Sequence, residues 1–555
     1  MIILGISLGF NSSASLWKDG TCLASISQER LTGVRNTKEI PAYAAKKCFE
    51  IAGIDDKEIV LAFSHYEGLS FKYLEKNFPD CILEADCPKA ETPEQWLINM
   101  IEKATGRTVV HMERIEHHAA HMYSAYAVYG QSKQPHTVLT MDGFGDGISA
   151  RLIVRNEIKA ELPLIKSPAL YYQFVTGALG FKEHQHEGKI TGLATGDYID
   201  FHDPRINEAR DFFMELWTNG TNLKSLDETE KAMVAESTII DFDKFLQLKK
   251  TIYAFVKNRL RDDYSADKIL GHPEAIAIAV AVQRFAEEIV YAFLFENREE
   301  ITDEIYLAGG MFANVAINRM FGSDYEHVYI SPAMGDEGTA MGAAACLVDM
   351  NNLLTDEFHP EYIISGGLEI ETQPISNNTI IDELGKGDRI VHLCSGRSEF
   401  GPRALMHRSS LFPATIKRET DKLNHAMHRS EFMPYAPVCR SEDVDKLFEN
   451  WKPFEKSLHF MTVALITKPG VADKYPAGVH KDGTCRVQVV HKDVPCERQA
   501  WNILDLYREK SYNDILINTS FNMHNEPTCC TKDQCNSAWE RSGGLGKLFF
   551  KTEEI

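Results

Sequence analysis

The residues best suited to chemistry are the histidines of the segment EHHAAHMYSAY at 116–126. His117 and His121 are four positions apart, so on a helix their side chains project from the same face. Two imidazoles in this arrangement can bind one transition metal, and Asp336 in the segment SPAMGDEGTAMG is the candidate third ligand. Two histidines and a carboxylate leave coordination positions open and suit Fe(II) or Zn(II). His118 is the alternative partner of His121, and the structural alternative is three helix histidines bonded to backbone or water.

Three glycine-rich turns form a second set of candidate binding residues. Each follows a strand-like run: GISLGFNSSASL at 5–16, MDGFGDG at 141–147 and LAGGMFANVAINR at 307–319. Glycines in such turns let backbone N–H groups approach a phosphate closely, although each turn alone is equally an ordinary strand-to-turn cluster. Together and in this order they resemble the phosphate and adenosine loops of the actin-like ATPases. The candidate nucleotide contacts are Gly143, Gly309, Gly310 and Asn314, with Lys189 of HEGKITGLATGD as a candidate partner of an anionic group.

The last third of the chain contributes candidate anion-binding side chains. Arginine forks suit phosphate and carboxylate oxygens, and a hydroxyl and an amide after a buried-looking strand can add hydrogen bonds to a nucleotide phosphate. These residues are Arg403, Arg408, Arg429, Arg486, Ser520 and Asn522. Taken singly, they are also interpretable as surface arginines and a polar turn.

Hydrophobic periodicity predicts the elements that position these residues. Short β-rich runs at 1–10, 137–142 and 303–310 each end in a turn with glycine or aspartate, so we expect strands that deliver loops to one sheet edge. Helical patterns cover 116–129 and 273–299, and the second of these predicts a central helix packed between layers.

Two features predict how the chain divides. Residues near 199–270 are rich in charge and amphipathic, which favours a helical insertion. From about 352 to 376 the hydrophobic periodicity is lost, which indicates a linker between domains. We therefore expect one domain over 1–355 and a second over 376–555, and no internal repeat of fixed period is visible.

Composition excludes several classes of protein. The 555 residues include 80 acidic and 59 basic side chains, and the formal net charge of -21 works against nonspecific binding to nucleic acid or an anionic membrane. No C-x-x-C pair occurs among the 12 cysteines, as is typical of a reduced, cytoplasmic protein. The apolar N-terminus lacks the basic flank of a signal peptide and reads as a buried strand, and no membrane span is expected.

Taken together, the motifs resemble those of the NodU/CmcH family of O-carbamoyltransferases, over nearly the whole chain. The most specific parts are HHAAH with the later MGDEGTAMGAA, LAGGMFANV, EFGPRAL with HRS, and NTSFN followed by EP. The resemblance implies an α/β fold with a two-lobed, actin-like N-terminal domain similar to TsaD. It also implies an α+β C-terminal domain similar to YrdC.

The resemblance also implies a mechanism. The C-terminal domain would convert carbamoyl phosphate and ATP, with Mg(II), into carbamoyl-adenylate and pyrophosphate. The N-terminal domain would bind this intermediate at an iron-type ion held by His117, His121 and Asp336, where an acceptor hydroxyl attacks the carbamoyl carbon and AMP leaves. Arg403 would serve the first step, so that its loss spares transfer from supplied carbamoyl-adenylate.

The family precedent indicates a small-molecule acceptor, with a hydroxyl on a sugar or an antibiotic. A hydroxymethylated pyrimidine in a nucleotide or in DNA offers the same nucleophile, although the acidic composition disfavours DNA. A homodimer is compatible with the sequence.

Three positions depart from the family pattern. The first-loop histidine that is thought to deprotonate the acceptor is Asn11 here, and a neutral amide cannot act as a base. A second family histidine falls on Asn36, and the lysine of the C-terminal K-x-R motif is Met427. Either the donor step is altered or neighbouring groups replace the lysine, the candidates being Lys422, His425 and His428.

Two other functions compete with this interpretation. A small-molecule kinase of the actin-like superfamily would use the glycine-rich loops and Mg-ATP directly, but it leaves HHAAH and the last third of the chain without a role. An actin-like assembly or nucleotide-sensing protein would need neither a third metal ligand nor the arginine-rich second domain.

Overall fold

Eighteen strands and the helices between them are seen in the computed structural model, which describes residues 1–65, 91–195, 198–219, 242–260, 264–296, 302–366, 372–386, 389–429, 435–511 and 513–552. The strands of the first two-thirds are β1 Ile2–Leu8, β2 Ser13–Lys18, β3 Thr21–Ser27, β4 Glu58–His65, β5 Thr108–Ile115, β6 Thr137–Gly145, β7 Ile148–Val154, β8 Glu157–Pro163, β9 Glu304–Ala308 and β10 His327–Ile330. Those of the last third are β11 Val391–Ser395, β12 Arg408–Pro413, β13 Ala436–Arg440, β14 Ala464–Ile466, β15 Thr484–Arg486, β16 Gln488–Val490, β17 Leu516–Ser520 and β18 Lys547–Lys551.

Two five-stranded sheets with the same plan make up the N-terminal part. The first has the order β3-β2-β1-β4-β5 and the second has the order β10-β9-β6-β7-β8. In each sheet three antiparallel strands in sequence are extended by two parallel strands beside the first of them. β1 is buried along its whole length, as predicted. This duplicated, two-lobed α/β arrangement is the actin-like fold that the resemblance implies.

The helices of the N-terminal part connect and cover these sheets. They are α1 Glu29–Thr32, α2 Ala42–Ala52, α3 Pro93–Thr105, α4 His117–Tyr129, α5 Pro168–Ala178, α6 Glu187–Leu193, α7 Pro204–Asn219, α8 Phe242–Arg259, α9 Pro273–Phe295, α10 Val315–Met320 and α11 Gly338–Met350. α4 and α11 pack on each other between the sheets, α11 against β1 and β4 and α4 against β6 and β9. The described parts of the predicted insertion are helical, and α7 packs on the apolar α9.

Glycines bring α4, α11 and β1 to backbone contact. A Cβ at Gly342 of α11 would lie 1.7 Å from Ala120 O of α4, and a Cβ at Gly5 of β1 would lie 2.0 Å from Ala340 O of α11. The small side chains of MGDEGTAMGAAA therefore serve close packing, which fixes the helix that carries the histidines.

The C-terminal part is built on one mixed six-stranded sheet of order β16-β13-β17-β12-β11-β18, with a separate β14-β15 hairpin. Its helices are α12 Asn377–Leu384, α13 Lys417–Ala426, α14 Val444–Leu447, α15 Val471–Lys474, α16 Arg498–Ser511 and α17 Lys532–Arg541. The division expected at 355–376 falls between β10 and β11 and stays a prediction. Within the described ranges no helix has the length and apolar character needed to span a bilayer.

Buried polar contacts join the two parts. Arg30 is 4% exposed and donates to Gly401 O at 2.8 Å and to Thr528 O at 3.0 Å. Ser457 bridges the edge strand β10, donating to Val328 O and accepting from Ile330 N. The C-terminal part is thus docked through hydrogen bonds as well as apolar contact.

Candidate active site

Four side chains converge between α4 and the ends of β6 and β10. His117 Nε2 and His121 Nε2 are 3.1 Å apart, and Asp142 Oδ2 lies 3.2 Å from each. Asp336 Oδ1 lies 3.7 Å from His117 Nε2 and 3.6 Å from His121 Nε2. Two atoms bound to one ion at about 2.0–2.2 Å are themselves roughly 3.0–3.6 Å apart at tetrahedral to octahedral angles. The separations therefore fit a metal centre.

Asp142 was not among the predicted ligands, although it stands in the MDGFGDG turn. An aspartate directly after a strand is common, so only the histidine spacing singled out part of the group. His118, the alternative ligand, is turned away, with its Nδ1 2.9 Å from Thr140 Oγ1. The structure brings together His117, His121 and Asp336, the predicted set, and adds Asp142 to it.

The local backbone positions these ligands. Glu116 caps α4 by accepting from Ala119 N, and Asp146 accepts from His117 N at 2.9 Å. A Cβ at Gly145 would lie 2.0 Å from the His117 ring, so only glycine lets the β6–β7 turn pass so close to the imidazole.

Ion pairing and hydrogen bonds join the four side chains of this group. Burial works to lower the pKa of His121, but hydrogen bonds with Asp142 and Asp336 outweigh it and raise that pKa to about 9. Burial and the charge of Asp142 raise the pKa of Asp336. Burial also works to raise the pKa of Asp142, yet the two imidazoles hold it well below its ordinary value. A cation would replace the proton shared within this group.

Asn11 lies beside the group, in the turn after β1. Its φ of 54° is in the left-handed region that asparagine tolerates better than most residues. Its Nδ2 donates to Glu337 Oε2 at 3.2 Å, whereas its Oδ1 is buried without a hydrogen-bond partner. Burial raises the pKa of Glu337 to about 7. Asn11 can therefore accept a hydrogen bond from a ligand hydroxyl.

A cleft of about 470 Å³ separates the second sheet's helices from the C-terminal part. Arg403 and Arg486 line its C-terminal wall, and Arg284 and Arg319 lie across it. Arg403 donates to Ala313 O at 3.0 Å, in the turn after β9. Burial and the charge of Arg486 hold the pKa of Arg403 well below its usual range, and burial lowers that of Arg486 to about 10. The cleft thus concentrates positive charge against the predicted adenosine loop.

The three predicted glycines adjoin the metal-ligand group. Gly309 has a φ of 105°, and a Cβ there would lie 2.3 Å from Met141 O. A Cβ at Gly310 would lie 2.7 Å from Asp142 Oδ1, and Gly143 N donates to that same oxygen at 2.7 Å. The turn after β9 therefore adjoins the candidate metal ligands at one end and the arginine cleft at the other.

Arg403 differs from its expected place. It was grouped with Arg429, Ser520 and Asn522, but it faces the loop after β9. Arg429 donates to Thr519 Oγ1 at 3.0 Å and to Asn522 Oδ1 at 3.1 Å, and Ser520 Oγ donates to Asn522 Oδ1 at 2.6 Å. The Arg429 guanidinium also lies 5.7 Å from the ring of Tyr435, which lines the cleft of Arg403 and Arg486, so this second set borders the same cleft.

Two predicted contacts are used internally. Arg408 has no exposed surface, and its guanidinium donates to Ser395 O at 2.6 Å and to Gly396 O at 2.8 Å. Asn314 caps α10 by accepting from Ala316 N and Ile317 N, and its Nδ2 donates to Gln283 Oε1 at 2.7 Å. Neither side chain is presented to a ligand, because the backbone and a neighbouring amide take up its polar atoms.

The surroundings of the missing family lysine show what could replace it. Met427 is fully buried, so the side chain at this position does not face a ligand. Lys422 pairs with Glu419 at 3.0 Å, and His425 and His428 are exposed. Lys189, expected in a turn, lies in α6 and is half-buried.

Comparison with known proteins identifies relatives that cover most of the chain. An uncharacterised protein of Methanocaldococcus jannaschii is 26% identical over 97% of this chain and 96% of its own length. The nodulation protein NolNO of Sinorhizobium fredii is 25% identical over 93% of this chain and 75% of its own length. The 3'-hydroxymethylcephem-O-carbamoyltransferase of Amycolatopsis lactamdurans is 26% identical over 74% of this chain and 74% of its own length.

Solved structures match more weakly. The activator of the 2-hydroxyisocaproyl-CoA dehydratase from Clostridium difficile is 12% identical over 63% of this chain and 96% of its own length, with a TM-score of 0.32.

Two family models, described as the carbamoyltransferase N-terminus and C-terminus, match residues 2–346 and 382–550. These spans contain all the candidate site residues named above. Because the two models together match most of the chain, the chain belongs to the carbamoyltransferase family of enzymes.

Proposed function

We propose that the chain is an ATP-dependent O-carbamoyltransferase that works through carbamoyl-adenylate. In this reaction water cleaves carbamoyl phosphate to carbamate and phosphate, and a carbamate oxygen attacks the α-phosphate of ATP to give carbamoyl-adenylate and pyrophosphate. The acceptor hydroxyl then attacks the carbamoyl carbon, loses its proton, and AMP leaves. The observation that supports it most is the turn after β9, where Gly310 adjoins Asp142 of the ligand group and Ala313 accepts from Arg403 of the cleft. An adenylate held there would have its reacting end at the metal ligands.

The residues of the transfer site have distinct roles in this proposal. His117, His121, Asp142 and Asp336 would hold Fe(II) or Zn(II). The bound ion would act as a Lewis acid on a carbamoyl or phosphate oxygen. Arg403 and Arg486 bind the phosphate of the adenylate, which stabilises the AMP that leaves as the carbon–oxygen bond breaks. Asn11 Oδ1 accepts the hydrogen bond of the attacking hydroxyl and orients it.

Adenylate formation is assigned to the second group of polar side chains. Arg429, Ser520 and Asn522 are mutually hydrogen-bonded at the end of β17, so their directions are fixed before any ligand binds. Mg-ATP and carbamoyl phosphate would meet there.

A small-molecule hydroxyl is the proposed acceptor. One relative is named for the hydroxymethyl group of a cephem. The net charge of -21 disfavours a polyanionic acceptor such as DNA. A cytoplasmic location is part of the same proposal.

The test is to incubate the metal-loaded protein with carbamoyl phosphate, Mg-ATP and a panel of hydroxyl acceptors. We expect an acceptor heavier by one carbamoyl group (net CONH), with AMP and pyrophosphate in equal amounts. Release of ADP together with a phosphorylated acceptor would show the actin-like kinase instead.

A further inference from the structure

Three cations that lack an ion-pair partner among the described residues lie near one another where the two parts of the chain meet. Arg35 and Lys189 come from the N-terminal part and Arg429 from the C-terminal part, and all three side chains are half-buried. Across the described ranges, none of the three has a carboxylate oxygen within ion-pair distance. Unpaired charge in a partly desolvated place costs free energy, so the arrangement needs a reason.

A continuous series of contacts brings the three cations together. Arg35 donates to Gln185 O at 3.4 Å, just before α6, which carries Lys189. The next residue, His186, has its Nε2 2.8 Å from Asn525 Oδ1 of the C-terminal part. Its ring also stacks on that of His524, with ring centroids 5.6 Å apart. The loop of His524 begins at Asn522, which binds Arg429.

The pKa values of the charged groups around Arg35 and Lys189 agree with this geometry. Burial and the charge of Arg35 lower the pKa of Lys189 to about 8. Burial also lowers the pKa of Arg35, and the nearby Glu29 and Glu187 only partly oppose this. Glu29 accepts from Asn36 N at 2.9 Å, and burial raises the pKa of Glu187 to about 7. The two carboxylates therefore offset the positive charge only in part.

We propose that Arg35 and Lys189 complete, with Arg429, a phosphate-binding site that serves the adenylate-forming step and is built from both parts of the chain. This assignment rests on the function proposed above, and it adds two residues, Arg35 and Lys189, to the adenylate-forming step. The shared ligand chemistry is a phosphate oxyanion, carried either by the triphosphate of ATP or by carbamoyl phosphate.

The test measures binding to the full-length protein by calorimetry, with inorganic pyrophosphate, Mg-ATP and carbamoyl phosphate as separate probes. We expect Lys189→Gln and Arg35→Gln to weaken pyrophosphate binding about ten- to a hundredfold, as for lost hydrogen bonds to a charged partner. Lys189→Arg should restore most of the affinity. Lys268→Gln, at an exposed position on a surface turn, is the matched control and should bind like the unaltered protein.

The other readouts separate binding from folding. Because each Gln variant removes an unpaired cation, its melting temperature should stay the same or rise, and its metal content should not change. The Gln variants should also bind one of the two substrates, Mg-ATP or carbamoyl phosphate, more weakly. The substrate whose affinity falls together with that of pyrophosphate is the one whose phosphate occupies the site. Equal pyrophosphate affinity in the unaltered protein and both Gln variants would overturn the proposal, as would variants that lose metal and stability together. Failure of the proposed function is distinct from this, because it would show as intact pyrophosphate binding without any carbamoylated product.

Discussion

Asp142 is the residue whose oxygen lies within 3.2 Å of both imidazole nitrogens, so its charge should dominate metal affinity. Asp142→Asn keeps the shape of the side chain but removes that charge. We expect the bound metal to be weakened at least about tenfold, by analogy with lost partners of metal ligands. Elemental analysis after dialysis against a weak chelator measures this. His118→Gln is the control, since His118 bonds to Thr140, and metal loss from this variant alone would contradict the assignment.

Asn11 tests how the acceptor loses its proton. Loss of an orienting hydrogen bond costs about 1–3 kcal/mol, or roughly ten- to a hundredfold in rate, whereas loss of a general base costs about 10²- to 10⁴-fold. We therefore expect Asn11→Ala to remain measurably active. Asn11→His should add an ionisation near the imidazole pKa of ~6.5 to the rate profile. A rate profile unchanged in the folded, metal-loaded histidine variant would show that this turn does not face the acceptor.

From the sequence alone, the positions of some site residues were easier to predict than those of others. The spacing of His117 and His121 was sufficient to place their side chains together, because residues four positions apart lie on the same face of a helix. Arg403 and Arg408 look equivalent in the sequence, yet one faces a cleft and the other is enclosed by backbone carbonyls. Only tertiary structure separates two such arginines, because the two stand five residues apart in one short segment with small residues nearby.

At the scale of elements, Gly342 is the position where α11 approaches α4 most closely. A side chain there would meet the carbonyl of Ala120, which cannot move without displacing the histidine helix. Gly342→Ala should therefore destabilise the protein by about 1–3 kcal/mol, as overpacked cores do, and lower the metal content. Chemical denaturation and elemental analysis measure the two effects. Gly271→Ala, where a Cβ meets nothing within 4 Å, should change neither, and equal behaviour of the two variants would refute the packing argument.

The elements were more predictable than their arrangement. β1 and the histidine helix were predicted because their apolar patterns are strong and local. The shared plan of the two sheets was expected only from the family resemblance, since it preserves strand order and direction rather than any residue spacing. Equivalent hairpins, β1–β2 and β6–β7, carry Asn11 and Asp142 close to their respective turns.

At the scale of the whole molecule, the proposed mechanism assigns the two reaction steps to different side chains of the C-terminal part. Arg403 reaches the loop after β9, so Arg403→Ala should lower transfer from supplied carbamoyl-adenylate by roughly ten- to a hundredfold. Arg429→Ala should instead lower ATP–pyrophosphate exchange. The two rates are measured separately on the same preparations. If Arg403→Ala abolished only the exchange, Arg403 would belong to the adenylate-forming step, as the sequence alone led us to expect.

The glycine contacts at Gly5 and Gly342 have a mechanical consequence. They join β1, α11 and α4 through backbone atoms, with almost no compressible side chain between the layers. The first sheet and the histidine helix must then move as one stiff body. In the proposed reaction, any opening that admits the acceptor or releases AMP would therefore have to come from the elements around this body, such as α7, α8 and the docked C-terminal part. Turnover can proceed in this way while the distances between the imidazoles stay constant.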